Sequence, residues 1–121
     1  MNTGKLKLAI LKGSWGNVVA PNDHFYRLLF RLEKKTVLTV VEINELFASY
    51  QNWLSQIEQM VSECKANDTI EDRRAVSYSL ALEDDIISHI ENIVTTIKCE
   101  DSNMLNKLLN LAEEALALME Q

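Results

Sequence analysis

The fold turns on residues 43–64, INELFASYQNWLSQIEQMVSEC. Ile43, Phe47, Tyr50, Leu54, Ile57, Val61 and Cys64 follow one another at alternating spacings of four and three, and Leu46, Trp53 and Met60 form a third apolar column beside them. A period near 3.6 places all these side chains on one side of a helix. Three apolar columns in seven suit the core helix of a bundle, because a two-stranded coiled coil needs only two. Just upstream, Thr39 and Glu42 have the spacing of a capping box, with Thr36 an alternative start one turn earlier.

Downstream, Asn67-Asp68-Thr69 interrupts the pattern, and Thr69 with Asp72 repeats the capping spacing for a helix running to about Lys98. Its second half is regular, with Ile86, Ile87, Ile90, Ile93, Val94 and Ile97. In the first half Asp72, Ser79 and Glu83 fall on the stripe where apolar residues belong, so either the helix bends near residue 80 or that stripe faces something other than core. Asp101-Ser102 starts a last helix over 103–120, and Pro21-Asn22-Asp23 starts a first one in which Phe25, Leu28, Leu29 and Leu32 recur at helical spacing.

All three glycines and the only proline lie in the first 21 residues, so the rest of the chain lacks the punctuation of hairpins, βαβ units and phosphate-cradling loops. The expectation is an all-α single domain: an irregular N-terminal arm over 1–21 and an elongated antiparallel four-helix bundle over 22–121. The helices lie at about 22–35, 38–64, 69–98 and 103–120. Short links favour antiparallel neighbours, and the two middle helices should reach roughly 40 Å at about 1.5 Å per residue.

The net charge of −6 is unevenly spread. Residues 1–35 hold seven basic and two acidic side chains, and residues 36–121 hold five basic and sixteen acidic ones. An acidic body disfavours broad nucleic-acid binding and leaves room for a local basic contact. Cys64 and Cys99 fall near the ends of successive long helices, which antiparallel packing separates, so they read as unbridged thiols of a reducing compartment. No run approaches the length of a membrane span, and the expected location is cytoplasmic.

Two surfaces look unfinished. The last helix is apolar over well over half its circumference, which points to self-association through Leu109, Leu111, Leu116 and Leu118, unless the arm with Trp15 and Val18 covers it. The polar side of the second helix carries Asn44, Ser49, Gln51, Asn52, Ser55, Gln56 and Gln59, with Glu45 and Glu58 its only charges. Such a face costs less to desolvate than a charged one and suits a protein contact, best at Gln51, Asn52, Ser55 and Gln59. Trp15, Trp53, Tyr26 and Arg27 are secondary contact candidates where exposed.

The reading is therefore a non-catalytic helical interaction module: an adaptor, small subunit or regulator that binds a protein partner, self or a larger complex, with no cofactor and no metal. A second reading takes Arg27, Arg31, Lys34 and Lys35, beside Tyr26 and Phe30, as a basic stripe by which a ribonucleoprotein subunit touches nucleic acid, aided by Lys5, Lys7 and Lys12.

A third reading is a metal-dependent hydrolase using carboxylates of the two middle helices. Asp85 and His89, one turn apart, have the spacing to share a metal, but the paired Glu-x-x-His motifs of di-iron bundles are absent. Glu42-x-x-Glu45 is similar to the magnesium-binding carboxylates of all-helical nucleotide pyrophosphohydrolases, yet the third helix lacks the answering Glu-x-x-Asp, and no family is assigned on it. Gly13-Ser14-Trp15-Gly16 lacks the glycine spacing of a nucleophile elbow. Glu83, on the apolar stripe, either pairs with Arg73, Arg74 or Lys107 or, buried alone, holds its proton to higher pH.

Overall fold

A computed structural model describes residues 24–121, and the expected arm, with Trp15 and the arm lysines, lies outside the described residues. Four helices pack against one another: α1 His24–Glu33, α2 Val40–Asn67, α3 Ile70–Thr96 and α4 Ser102–Glu120. Two very short strands, β1 Val37–Leu38 and β2 Lys98–Cys99, precede α2 and α4. The class is all-α, as the periodicity predicts.

Local chemistry sets the helix ends. At α2 the Thr39 hydroxyl accepts from the Glu42 N–H at 3.1 Å, and the Glu42 carboxylate accepts from the Thr39 N–H at 2.9 Å. Leu38 and Ile43, on either side of this box, are both fully buried, at the positions of a hydrophobic staple. The other end of α2 closes on Asp68, whose left-handed backbone (φ 51°) lets its N–H reach the Cys64 carbonyl at 3.0 Å. Arg73 holds the Asp68 side chain at 2.9 Å. Thr69 follows at once as the cap of α3, in a second capping box with Asp72, so the reversal from α2 to α3 is a tight hairpin and the two helices run antiparallel. Asp101 caps α4, accepting from the Met104 N–H at 3.1 Å.

The strands correct the predicted boundaries. α1 stops at Glu33 instead of Lys35, α2 begins at Val40 and runs on to Asn67, and α3 ends at Thr96 instead of Lys98. The Thr96 hydroxyl bonds the Asn92 carbonyl at 2.6 Å and competes with the helix ladder at that end. The chain then turns extended, and β2 pairs in parallel with β1, Val37 opposite Lys98 and Leu38 opposite Cys99. The Lys98 N–H reaches the Thr36 carbonyl at 3.2 Å and the Glu100 N–H the Leu38 carbonyl at 3.1 Å, tying the α1–α2 link to the α3–α4 link at one end of the bundle. Cys99 therefore sits at the end where α2 starts and Cys64 where α2 finishes, and both are free thiols.

α3 is continuous from Ile70 to Thr96, so its irregular first half is no break. Asp72, Ser79 and Glu83 are all buried. They face the core together with Ala75, Leu82 and the isoleucines of the second half.

Candidate interaction surfaces and the polar cluster beneath them

The apolar excess of α4 is largely covered within the chain. Leu105, Leu108, Ala112, Ala115 and Met119 are buried, and Leu109, Leu111 and Leu116 are half-buried against the same core. The four predicted interface leucines also divide. Leu116 lines a shallow groove with Ser77, Leu80 and Ala81 of α3, whereas Leu118 lines one with Glu58, Ser62 and Lys65 of α2. Helical spacing puts Leu109 in the column of Leu116 and Leu111 in that of Leu118. They form two flanks of a helix seated between α2 and α3, and only Leu118 is open to solvent, at 57% exposure. The Lys65 ammonium closes this end by donating to the Met119 carbonyl.

The polar face of α2 is more continuous than its amides alone suggest. Gln51, Asn52, Ser55 and Gln59 are all exposed, as are Asn44, Ala48 and Ser62, whereas Ser49 and Gln56 are half-buried at the flanks. Ala48, Ser55 and Ser62 are seven residues apart and make a central column of small side chains, with Asn44 and Gln51 along one edge and Asn52 and Gln59 along the other. The sequence reading named the amides and missed Ala48 and Ser62, although their seven-residue spacing from Ser55 was there to be read. This face ends beside Leu118, because Ser62 and Leu118 share one groove. A smaller apolar corner, Val37, Val40 and Val41, is exposed at the opposite end of α2.

The basic stripe of α1 is exposed at Arg27, Arg31, Lys34 and Lys35, yet part of its charge is already matched by α2. Lys35 lies 2.6 Å from Glu42, and Arg31 shares Glu45 with His24 at 4.0 and 3.9 Å. The Lys35 hydrogen bond, with that of the Thr39 backbone, pulls the Glu42 carboxyl down to about 2. Two further expectations fail here. Tyr26 is buried and Phe30 half-buried, so neither stands beside the stripe as a platform for a base. Trp53 is only 1% exposed and serves as core rather than as a contact residue. In each case a neighbouring helix meets the ring: Tyr26 and Trp53 lie edge-on at 6.0 Å, and Phe30 lies edge-on to His89 of α3 at 5.0 Å; deeper in, Phe25 lies 4.7 Å from Tyr50.

Under α1 these rings surround a polar cluster. Glu83 of α3 is 1% exposed and is hydrogen-bonded to the Tyr50 hydroxyl of α2. It pairs with none of the expected bases: Arg73 is turned to Asp68, and Arg74 and Lys107 are exposed. Burial pushes its carboxyl up to about 8. The Trp53 indole N–H, three residues on from Tyr50 in α2, has no hydrogen-bond partner among the described residues. At the rim, the Tyr26 hydroxyl donates to Asp85 at 3.2 Å, and burial, with the Asp85 charge second, holds that hydroxyl's proton far above the ordinary tyrosine range.

His89 lies between two carboxylates, its Nδ1 2.9 Å from Glu33 and its Nε2 3.6 Å from Asp85, while Asn92 donates to Glu33 at 3.1 Å. Both ring nitrogens thus face carboxylates of the α1–α3 seam. Among the described residues, no group of three His, Cys, Asp or Glu side chains is placed to hold a metal ion, and no helix is long and apolar enough to cross a membrane.

Comparison of the chain with protein-family models, with curated proteins and with solved structures finds no significant match to any of them.

Proposed function

We propose that this chain is a helical protein-interaction module, acting by docking rather than catalysis as an adaptor, small subunit or regulator, and that its docking surface is the exposed face of α2. One observation carries the reading: Asn44, Ala48, Gln51, Asn52, Ser55, Gln59 and Ser62 form an exposed row of uncharged side chains, with charge only at its edges in Glu45 and Glu58, on a chain with net charge −6. Two acidic surfaces repel, so a self-contact is favoured where like charges do not meet. Amides and hydroxyls lose less on desolvation than carboxylates or ammonium groups, and a column of alanine and serine lets a partner helix approach closely. Leu118 adds an exposed apolar side chain where this face meets α4. Self-association through α2 and the tip of α4 is the first form of the proposal.

The test is mass by light scattering across a concentration series, for the parent chain and for Ser55→Glu with Gln59→Glu. A parent mass of about twice 13.8 kDa that falls to 13.8 kDa in the double variant, with unchanged helix content, supports the reading. A dimer that survives the double variant moves the interface elsewhere, with Leu118→Glu as the next variant. The basic row of α1 favours a nucleic-acid contact less well, since Lys35 and Arg31 already face Glu42 and Glu45 and the neighbouring rings are covered.

A further inference from the structure

The unmatched acidity of the chain gathers where α3 packs on α4. Between Arg74 and Lys98 the chain has no lysine or arginine, and it has none after Lys107, so these stretches of the two helices supply carboxylates without bases. On α2, by contrast, Glu42 faces Lys35 and Glu45 faces Arg31, and at the hairpin Asp68 holds Arg73. Asp84, Glu91, Glu113 and Glu120 are all exposed, and among the described residues none of the four has an ion-pair partner. Seven-residue spacing sets them in columns, Asp84 and Glu91 behind Ser77 on α3 and Glu113 with Glu120 on α4.

The same seam is apolar beside those columns. Leu80 and Val94 of α3 and Leu109 and Leu116 of α4 are half-buried, and Ala81 is exposed. Leu80, Ala81 and Leu116 line one groove together with Ser77, Asp84 and Glu120. Half-covered leucines gain when the rest of their area is buried, and uncompensated carboxylates gain when cations arrive. A helix with leucine-type side chains along one face and lysine or arginine beside them supplies both. It can lie along the groove between two antiparallel helices, and its contacts at i, i+3, i+4 and i+7 keep step with columns that recur every seven residues. A second copy of this chain fits poorly, since it brings another acidic body and its α1 row is already turned in part to Glu42 and Glu45. A phosphate backbone is repelled outright.

We infer that the α3–α4 groove, with Leu80, Ala81 and Leu116 beside Asp84 and Glu120, docks a basic amphipathic helix of a partner protein. No residue of α2 lines this groove, so the inference stands apart from the docking role of that helix.

Fluorescence anisotropy of a labelled peptide of two LKKLLKL repeats, titrated with the full chain at low salt, tests it, with oligolysine of equal charge as the second probe. The leucine-bearing peptide should bind saturably and roughly tenfold or more tighter than oligolysine, because only it buries apolar area. Asp84→Asn with Glu120→Gln should weaken it by roughly tenfold, whereas Glu58→Gln with Glu63→Gln, the same charge change on α2, should weaken it less than about threefold. Ala81→Gln fills the groove at unchanged charge and should also cost roughly tenfold. Ser55→Glu with Gln59→Glu should leave the affinity as it is, and circular dichroism checks that each variant keeps its helices. Absence of saturable binding overturns the inference, as does oligolysine binding equally well or Ala81→Gln having no effect. Equal losses from the two neutralised pairs would mean attraction to an acidic chain at large, and loss of binding in the Ser55 and Gln59 variant would place the contact on α2; either outcome overturns it too.

Discussion

The two halves of α3 belong to one unbroken helix in one core, yet they are filled by opposite rules. From Ile86 onward the buried positions are Ile86, Ile87, Ile90 and Ile93, a stripe that needs nothing beyond shape-matched neighbours. From Ile70 to Glu83 the same stripe buries Asp72, Ser79 and Glu83 beside Ala75 and Leu82. Polarity alone does not weaken the first half, because Asp72 and Ser79 are bonded within a turn of their own positions. The contrast is sharpest at Glu83, whose partner comes from another helix and whose charge state depends on pH.

Substitutions in the two halves should separate these rules. Ile90→Ala, in the apolar half, removes a fully buried side chain and should cost about 2–5 kcal/mol in denaturant melts, with no dependence on pH. A cost below about 1 kcal/mol would mean that the apolar half is loosely packed and the contrast overstated.

Glu83 should give an effect that varies with pH. Its carboxyl rises from the ordinary 4.5 to about 8 in the folded chain, so between those values the folded state keeps a proton that the unfolded state has released. Stability therefore falls as pH rises through that window and levels off above it, by an amount on the order of 5 kcal/mol at most. Glu83→Gln, which has no proton to lose, should flatten that part of the profile in melts taken at stepped pH. A profile equally steep in the glutamine variant would place the pH dependence in other groups. The smallest effect belongs to the helix start: Thr69→Ala breaks the capping box with Asp72 and should cost about 1 kcal/mol, measured by the same melts at neutral pH. A much larger loss would show that the Thr69 hydroxyl supports the buried Asp72 as well as capping the helix.

Much of the architecture was legible in the residues because the signals are local. The caps at Thr39, Thr69 and Asp101 act across three residues, and the stripe from Ile43 to Cys64 repeats every turn. The parallel pairing of β1 with β2 was not legible, since two residues a side carry no periodicity and the partners stand 61 positions apart, Val37 against Lys98. On the surface, the neutral amides Gln51, Asn52 and Gln59 of α2 could be read directly because nothing among the described residues covers them. The leucines of α4 misled in part: the sequence showed apolar residues over most of the helix, but α2 and α3 already half-cover three of the four chosen.

What the sequence determined by itself is where four helices begin and end within a few residues, which side of each faces inward, and that Glu83 lies on an inward side. Capping and amphipathic periodicity operate within a turn or two of backbone, so these properties are written in neighbouring residues. Only the tertiary structure decided that Glu83 meets Tyr50, 33 positions earlier, and not Arg73, Arg74 or Lys107. It also decided that Tyr26 turns to Asp85, 59 positions on, instead of standing open beside the basic stripe. Burial and charge state depend on which distant side chains arrive at a site, and that depends on how the helices pack.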